Sequence, residues 1–199
     1  MNTIVFGATG RIGSKLVDQL LDAGHRVTAF VRDPAKVTQE SDRLDVVTGD
    51  VLDVESVSGA IAGKEAVFVT LGAGLKGRVR SEGTENIVDA MERSGVKRLV
   101  LLSTLGAGDS YGNLNFYWKY LMFGLLLRSA FAEHQRQEKI VRERSLDWTM
   151  VRPGAFTEGE LTGELRHGFG PEEKGLKLKV SIPDVARFMA SQLSDATYV

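Results

Sequence analysis

Gly7-Ala8-Thr9-Gly10-Arg11-Ile12-Gly13 decides the fold. It follows Thr3–Phe6 (TIVF), a short β-branched and aromatic run that reads as a buried strand. It opens the stretch Arg11 to Ala23, where Ile12, Leu16, Val17, Leu20 and Leu21 recur at helical spacing and Gly24 supplies a stop. A glycine triplet alone is weak evidence. Between a strand and a helix it has the context of a phosphate-binding turn. Gly7 permits the tight turn, Gly10 lets a pyrophosphate approach the backbone, and Gly13 lets helix and strand pack closely. The helix N-terminus then presents free N–H groups and its positive dipole end to an anion. The plainer alternative is a strand–turn–helix with no ligand.

Outward from the motif, further apolar strands are predicted at Arg26–Val31, Leu44–Thr48, Ala66–Leu71, Arg98–Leu102 and Trp148–Val151. Helices are predicted over Asp53 to Ile61, with Asp53 as N-cap, over Gly83 to Ser94, across most of Asn113 to Arg144, and over Pro183 to Leu193. Leu161–Arg166 and Leu176–Val180 are short extended candidates. Strands alternating with helices mean βαβ units. The expected fold is therefore α/β: a doubly wound, mostly parallel Rossmann sheet of six or seven strands with helices on both faces. The 199 residues suit one dinucleotide-binding domain spanning 1–199, with a substrate-side insertion within 154–180.

Composition narrows the chemistry. Lys+Arg total 25 against 26 Asp+Glu, so no basic field draws in nucleic acid. With no cysteine there is no disulfide framework, thiol nucleophile or cysteine-ligated zinc. His25, His134 and His167 are scattered, so no metal site is expected. The apolar run Leu121–Leu127, flanked by Lys119 and Arg128, is too short to span a bilayer, and the first residues do not read as a signal peptide. The expectation is a cytoplasmic protein without membrane or nucleic-acid partners, as a monomer or homodimer.

The end of the second strand selects the cofactor. A free ribose 2′-hydroxyl is usually held there by an acidic residue, and a 2′-phosphate by a cation. The chain reads Arg32-Asp33-Pro34 at that point. A guanidinium can grip phosphate bidentately and stack on adenine, so NADP(H) is favoured over NAD(H), with Asp33 as the competing hydroxyl ligand. Asp50, after the third strand, is placed to accept from the adenine amine, and Leu71-Gly72-Ala73 to border the pyrophosphate and ribose.

The GxxGxxG spacing, VRDP at 31–34, GDVLD at 49–53, SEGTENIVDAM at 81–91, GVKRLVLLST at 95–104, HQRQEKIVRERSLDWTMVRPGAFT at 134–157 and SIPDVARFM at 181–189 together resemble one family. This is the atypical short-chain dehydrogenase/reductase group that includes NmrA-like proteins and biliverdin-IXβ (flavin) reductase. The resemblance implies that Gly7, Thr9, Gly10, Arg11, Ile12 and Gly13 wrap the pyrophosphate and that Arg32 meets the 2′-phosphate. It further implies that Asp50 and Val51 border adenine and that Leu71 and Gly72 line the ribose side. Ser103 and Thr104 would lie beside the nicotinamide ribose, with Pro153, Gly154, Ala155 and Phe156 flanking the nicotinamide.

A typical short-chain reductase protonates its substrate with a tyrosine whose pKa is lowered by a lysine four residues later. No Tyr-xxx-Lys pair occurs here, and Tyr117 and Lys119 point to different helix faces. The candidates for the chemistry are then Ser103, Thr104 and His134, the last with a plainer reading as a helix-surface pair with Glu138. Tyr117, Trp118 and Tyr120 are candidate walls of a substrate pocket, suited to stacking on a planar molecule. Arg78 and Arg80, after the fourth strand, could reach an anionic substrate but read chiefly as solvated. The leading expectation is an NADPH-dependent oxidoreductase passing hydride to a planar conjugated acceptor: flavin, quinone or tetrapyrrole. The second is a non-catalytic NADP(H)-binding redox sensor. The third is an epimerase or dehydratase of sugar-nucleotide type, ranked last because such enzymes rely on the missing pair.

Overall fold

The computed structural model describes residues 1–72 and 78–199. Six parallel strands run β1 (Asn2–Phe6), β2 (Arg26–Val31), β3 (Leu44–Thr48), β4 (Ala66–Val69), β5 (Arg98–Leu102) and β6 (Asp147–Val151). They lie in the order β3-β2-β1-β4-β5-β6. The direction of winding reverses between β1 and β4, which opens a crevice at their C-terminal ends. The doubly wound parallel sheet is the one expected from the sequence.

Alternation along the strands builds two cores. Ile4, Phe6, Val67, Val69, Leu99 and Leu101 face α2 (Val54–Ile61), α3 (Val79–Ser94) and α4 (Arg128–Arg142). Val5, Phe68 and Val100 face α1 (Arg11–Asp22) and α5 (Ile182–Ser191). Strands covered on both faces can be apolar throughout, as AVFV at β4 is. The edge strand β3 carries Asp45 and leaves Val46 largely in solvent.

Local chemistry sets the helix ends. The Asp53 carboxylate accepts from the amides of Glu55 and Ser56, starting α2. Gly95, with φ +74°, closes α3 in the left-handed conformation. Ser181 caps α5, with Pro183 in the first turn.

Several expected boundaries move. β4 ends at Val69, and Leu71 beyond it packs on the core beside Gly83. α3 begins a turn early, at Val79. The Asn113–Arg144 region divides into a 3₁₀ turn (Gly108–Asn113), a wide helix (Tyr117–Leu126) and α4. The wide helix closes with an i→i+5 bond from the Leu127 amide to the Met122 carbonyl, 2.6 Å. That register brings residues five apart together, and the rings of Trp118 and Phe123 sit 5.5 Å from one another. Leu161–Arg166 is not a strand: Thr162 and Gly163 donate their amides to the Asp184 carboxylate instead. The extended candidate at 176–180 narrows to β8 (Lys179–Ser181), which pairs in parallel with β7 (Ala155–Thr157).

The glycine turn tolerates no added atom. A Cβ on Gly13 would lie 2.1 Å from the Gly7 carbonyl oxygen, whereas one on Gly59 in α2 would meet nothing within 4 Å. Gly13→Ala is therefore expected to cost about 3 kcal/mol in urea unfolding. Gly59→Ala should stabilise by roughly 0.5–1 kcal/mol. Equal effects of the two substitutions would contradict this packing.

Candidate active site at the strand ends

Gly7 has φ +86°, and its carbonyl accepts from the Gly10 amide at 2.9 Å. Beside it the Thr70 hydroxyl donates to the carbonyls of Phe6 (3.0 Å) and Gly7 (3.2 Å). A Cβ on Gly7 would lie 2.7 Å from the Thr70 carbonyl. β1, the turn, α1 and the end of β4 are thus pressed together by one buried threonine that the sequence reading missed. Gly10 is the N-cap of α1 and no side chain caps it, so the first amides of α1 lack a helical partner. A cleft of about 290 Å³ opens there, lined by Thr9, Gly10, Arg11, Ser14, Lys15, Glu158 and neighbours. These features fit a bound pyrophosphate. Ile12 is turned into the core, and Arg11 pairs with Glu158 across the cleft.

Arg32 follows β2, exposed, and has no ion-pair partner among the described residues. Asp33 is engaged elsewhere: its carboxylate caps the Ala35 amide at 3.1 Å and lies 3.7 Å from Lys36 Nζ. After β3, Asp50 accepts from the Leu52 amide at 3.0 Å. Val51 packs its side chain into the core while its carbonyl accepts from Asn86. Leu71 also packs on that core, and Gly72 is exposed. Ala73 lies outside the described residues.

Beyond β5 and β6 a second cavity, about 180 Å³, is walled by Thr104, Leu105, Trp118, Phe123, Phe131, His134 and the run Pro153–Phe156, with others. It brings together Thr104, His134, Trp118, Pro153, Gly154, Ala155 and Phe156 from the sequence-based candidates. Phe123 and Phe131, stacked at 4.5 Å, are wall residues the sequence reading did not single out. Tyr117 and Tyr120 do not line it; they stand outward in solvent on the wide helix. Ser103 is buried and donates to Glu138 Oε1 at 2.6 Å, so its hydroxyl is turned from the cavity.

The sequence of this crevice has relatives. The NAD(P)H-binding family matches residues 7–196. The chain belongs to the NAD(P)H-binding family. It is 31% identical to UPF0659 protein YMR090W of Saccharomyces cerevisiae, over 97% of this chain and 87% of that one. It is also 31% identical to the chloroplast protein At2g34460 of Arabidopsis thaliana, over 81% of this chain, which spans only 61% of that protein's length. Among solved structures it is similar to ChuY, an anaerobilin reductase of Escherichia coli O157:H7, with TM-score 0.81 and 25% identity, covering 100% and 92% of the two chains.

The family's crevice is backed here by a buried ionic knot. Glu138, fully buried, accepts from Ser103, from Arg142 at 3.0 Å, and from two nitrogens of Arg152 at 2.8 Å each. Burial opposes the charge on Arg152, but its bonds to Glu138 and Asp109 outweigh that and raise its pKa. The hydrogen bond from Arg152 holds the Asp109 carboxyl below its usual range. A Cβ on Gly108 would strike Arg142 Nη2 at 2.3 Å, so the turn after Thr104 closes tightly over the knot. The knot fixes α4, and with it the cavity wall, to the ends of β5 and β6.

The expected surface pair of His134 with Glu138 does not form, because Glu138 is spent on the knot. Burial, followed by the nearby positive charge of Arg80, lowers the His134 pKa to about 3. The ring is neutral at physiological pH. Arg80 is not solvated either: it is 8% exposed, with its Nε donating to the Leu71 carbonyl at 3.2 Å. Arg78 does stay in solvent, 3.9 Å from Glu82. Among the described residues no cluster of His, Asp or Glu could hold a metal, and no helix is long and apolar enough to cross a membrane.

The lowered His134 pKa has a thermodynamic sign. Below pH 6.5 the unfolded chain takes up a proton that the folded ring refuses until about pH 3, so stability falls as pH falls through that window. His134→Asn should reduce the loss of unfolding free energy between about pH 7.5 and pH 4.5 by roughly 2 kcal/mol. Parallel pH profiles for the variant and the wild type would contradict a buried neutral ring.

Proposed function

We propose that the protein is an NADPH-dependent reductase that passes hydride to a planar conjugated small molecule such as a flavin, quinone or tetrapyrrole. The observation that carries this reading is the aromatic cavity beside Thr104 and Pro153–Phe156, next to a crevice of the NAD(P)H-binding family. Two reductases among its relatives support it: ChuY, and the 3-diazoavenalumate denitrifying reductase of Streptomyces, 37% identical over 56% of this chain and 40% of that one.

When bound, NADPH supplies the hydride. Gly7, Thr9, Gly10, Arg11 and Gly13 hold its pyrophosphate on the backbone turn and the start of α1. Asp50 and Val51 border the adenine, and Leu71 and Gly72 the ribose. Arg32 takes the 2′-phosphate, since Asp33 is occupied with Ala35 and Lys36. Pro153, Gly154, Ala155 and Phe156 flank the nicotinamide. A Cβ on Gly154 would lie 2.6 Å from the Leu178 carbonyl, so that wall is tightly fixed. Trp118, Phe123 and Phe131 stack on the acceptor and exclude water from one face.

No tyrosine acid is needed. A conjugated ring that accepts hydride at one atom would take its proton from water and not from a side chain. The Thr104 hydroxyl and the neutral His134 ring position the acceptor by hydrogen bonding. Ser103 acts through Glu138 as a positioning residue.

The test follows NADPH absorbance with excess FMN and catalytic protein. Turnover above the protein-free rate is expected. In Arg32→Ala the affinity for NADPH should fall about tenfold or more, with NADH little changed. No turnover despite measured NADPH binding would overturn the reductase reading. An unchanged NADPH affinity in the variant would overturn the role of Arg32.

A further inference from the structure

The aromatic cavity has uncharged walls. Leu105, Trp118, Phe123, Leu127, Phe131 and Phe156 are among them. Apart from the Trp118 indole, the polar side chains on the walls are the Thr104 hydroxyl and the neutral His134 ring. Among the described residues, no Asp, Glu, Lys or Arg lines the cavity. Backbone amides of the walls are also engaged: Leu105 donates to the Pro153 carbonyl and Ala155 to that of Leu178, each at 2.8 Å.

The charged residues next to these walls in the chain are directed elsewhere. Arg152, beside Pro153, bonds Glu138 and Asp109. Glu133, beside His134, accepts from Ser81 and Arg136. The Lys119 ammonium, beside Trp118, lies over the Tyr111 ring, 5.2 Å from its centre. Arg128, beside Leu127, is exposed and does not line the cavity. An ionised group brought among such walls loses hydration and meets no counter-charge there. An uncharged ring loses little by the same transfer and gains contact with the aromatic walls. Its carbonyl oxygen can accept from the Thr104 hydroxyl.

We propose that the cavity selects its acceptor by charge: it takes planar rings that are uncharged where they enter it, of the neutral quinone class, and discriminates against rings that carry an ionised substituent. This rests on the reading of the aromatic cavity as the acceptor site. A charge on a tether that leaves the cavity, such as the phosphate of FMN, escapes the selection.

The probes are menadione and 1,4-naphthoquinone-2-sulfonate, which share a ring system and differ in the charge attached to it. Binding of each to the full chain is measured by equilibrium dialysis with NADP⁺ present. The wild type is expected to bind menadione about tenfold more tightly or better. Ala130 is a half-buried wall residue on α4, and Ser129 beside it is exposed and not a wall. Ala130→Lys sets a cation at the cavity and should narrow or reverse the ratio, whereas Ser129→Lys adds the same charge outside and should leave it unchanged. A wild-type ratio near one, or a ratio that Ala130→Lys leaves as it was, would overturn the selection. If Ala130→Lys does not fold, the wild-type ratio and its change in Leu127→Lys decide. NADPH oxidation with both probes is followed alongside. A menadione preference without oxidation of NADPH would sustain the charge selection while overturning the hydride-transfer reading. Equal binding with oxidation by both probes would do the reverse, and binding of neither would overturn both.

Discussion

The contact on which the rest depends joins Gly7, Gly13 and Thr70. The Gly7 carbonyl lies where any side chain at 13 would be, and the Thr70 hydroxyl bonds that same carbonyl from across the sheet. One point thereby fixes the end of β1, the start of α1 and the end of β4. It also fixes the crevice, because β1 and β4 are the strands between which the winding reverses. The helix start left uncapped at that crevice turns its positive dipole end and free amides into it, where an anion would be favoured. The close packing and the uncapped helix start are thus two results of one steric constraint.

The second half of the site is built differently. No glycine motif shapes the aromatic cavity. Its wall is a wide helical turn whose i→i+5 register sets Trp118 beside Phe123, followed by α4, which carries Phe131 and His134. Such a turn exposes much of its own surface, including Tyr117 and Tyr120. It is held by polar contacts at the other face of α4: Glu133 to Ser81, Gln137 to Thr84 and Glu138 to Ser103 and Arg152. Breaking one member of so buried an ion pair leaves a lone charge in the core, which is why such a knot fixes geometry more surely than it adds net stability.

These differences explain what could be read from the sequence. The glycine turn, the apolar strands and the capping residues Asp53 and Ser181 act through neighbours within a few residues, so their pattern is visible in one dimension. Thr70 acts on a residue 63 positions away. Glu138 looks like the partner of His134 by spacing, yet it bonds Arg142 one turn on and Ser103 and Arg152, just beyond the ends of β5 and β6. Arg80 reads as a solvated residue after the fourth strand, yet it is buried in the first turn of α3, bonded to the Leu71 carbonyl. The wide helix has the sequence pattern of an ordinary apolar helix; its register follows from backbone bonding that side-chain periodicity does not encode. Of the aromatic candidates, Trp118 faces the cavity while Tyr117 and Tyr120 do not, a separation set by that register.

If the crevice and the cavity form one site, as proposed, a nicotinamide held by the first presents a single face to an acceptor in the second. The direct measurement uses NADPH deuterated at C4 on one face or the other, with FMN as acceptor, and mass spectrometry of the NADP⁺ formed. Deuterium lost from one epimer and retained in the other is the expected result. Equal loss from both epimers would show that the hydride leaves without being held against the protein, and would contradict a joined site.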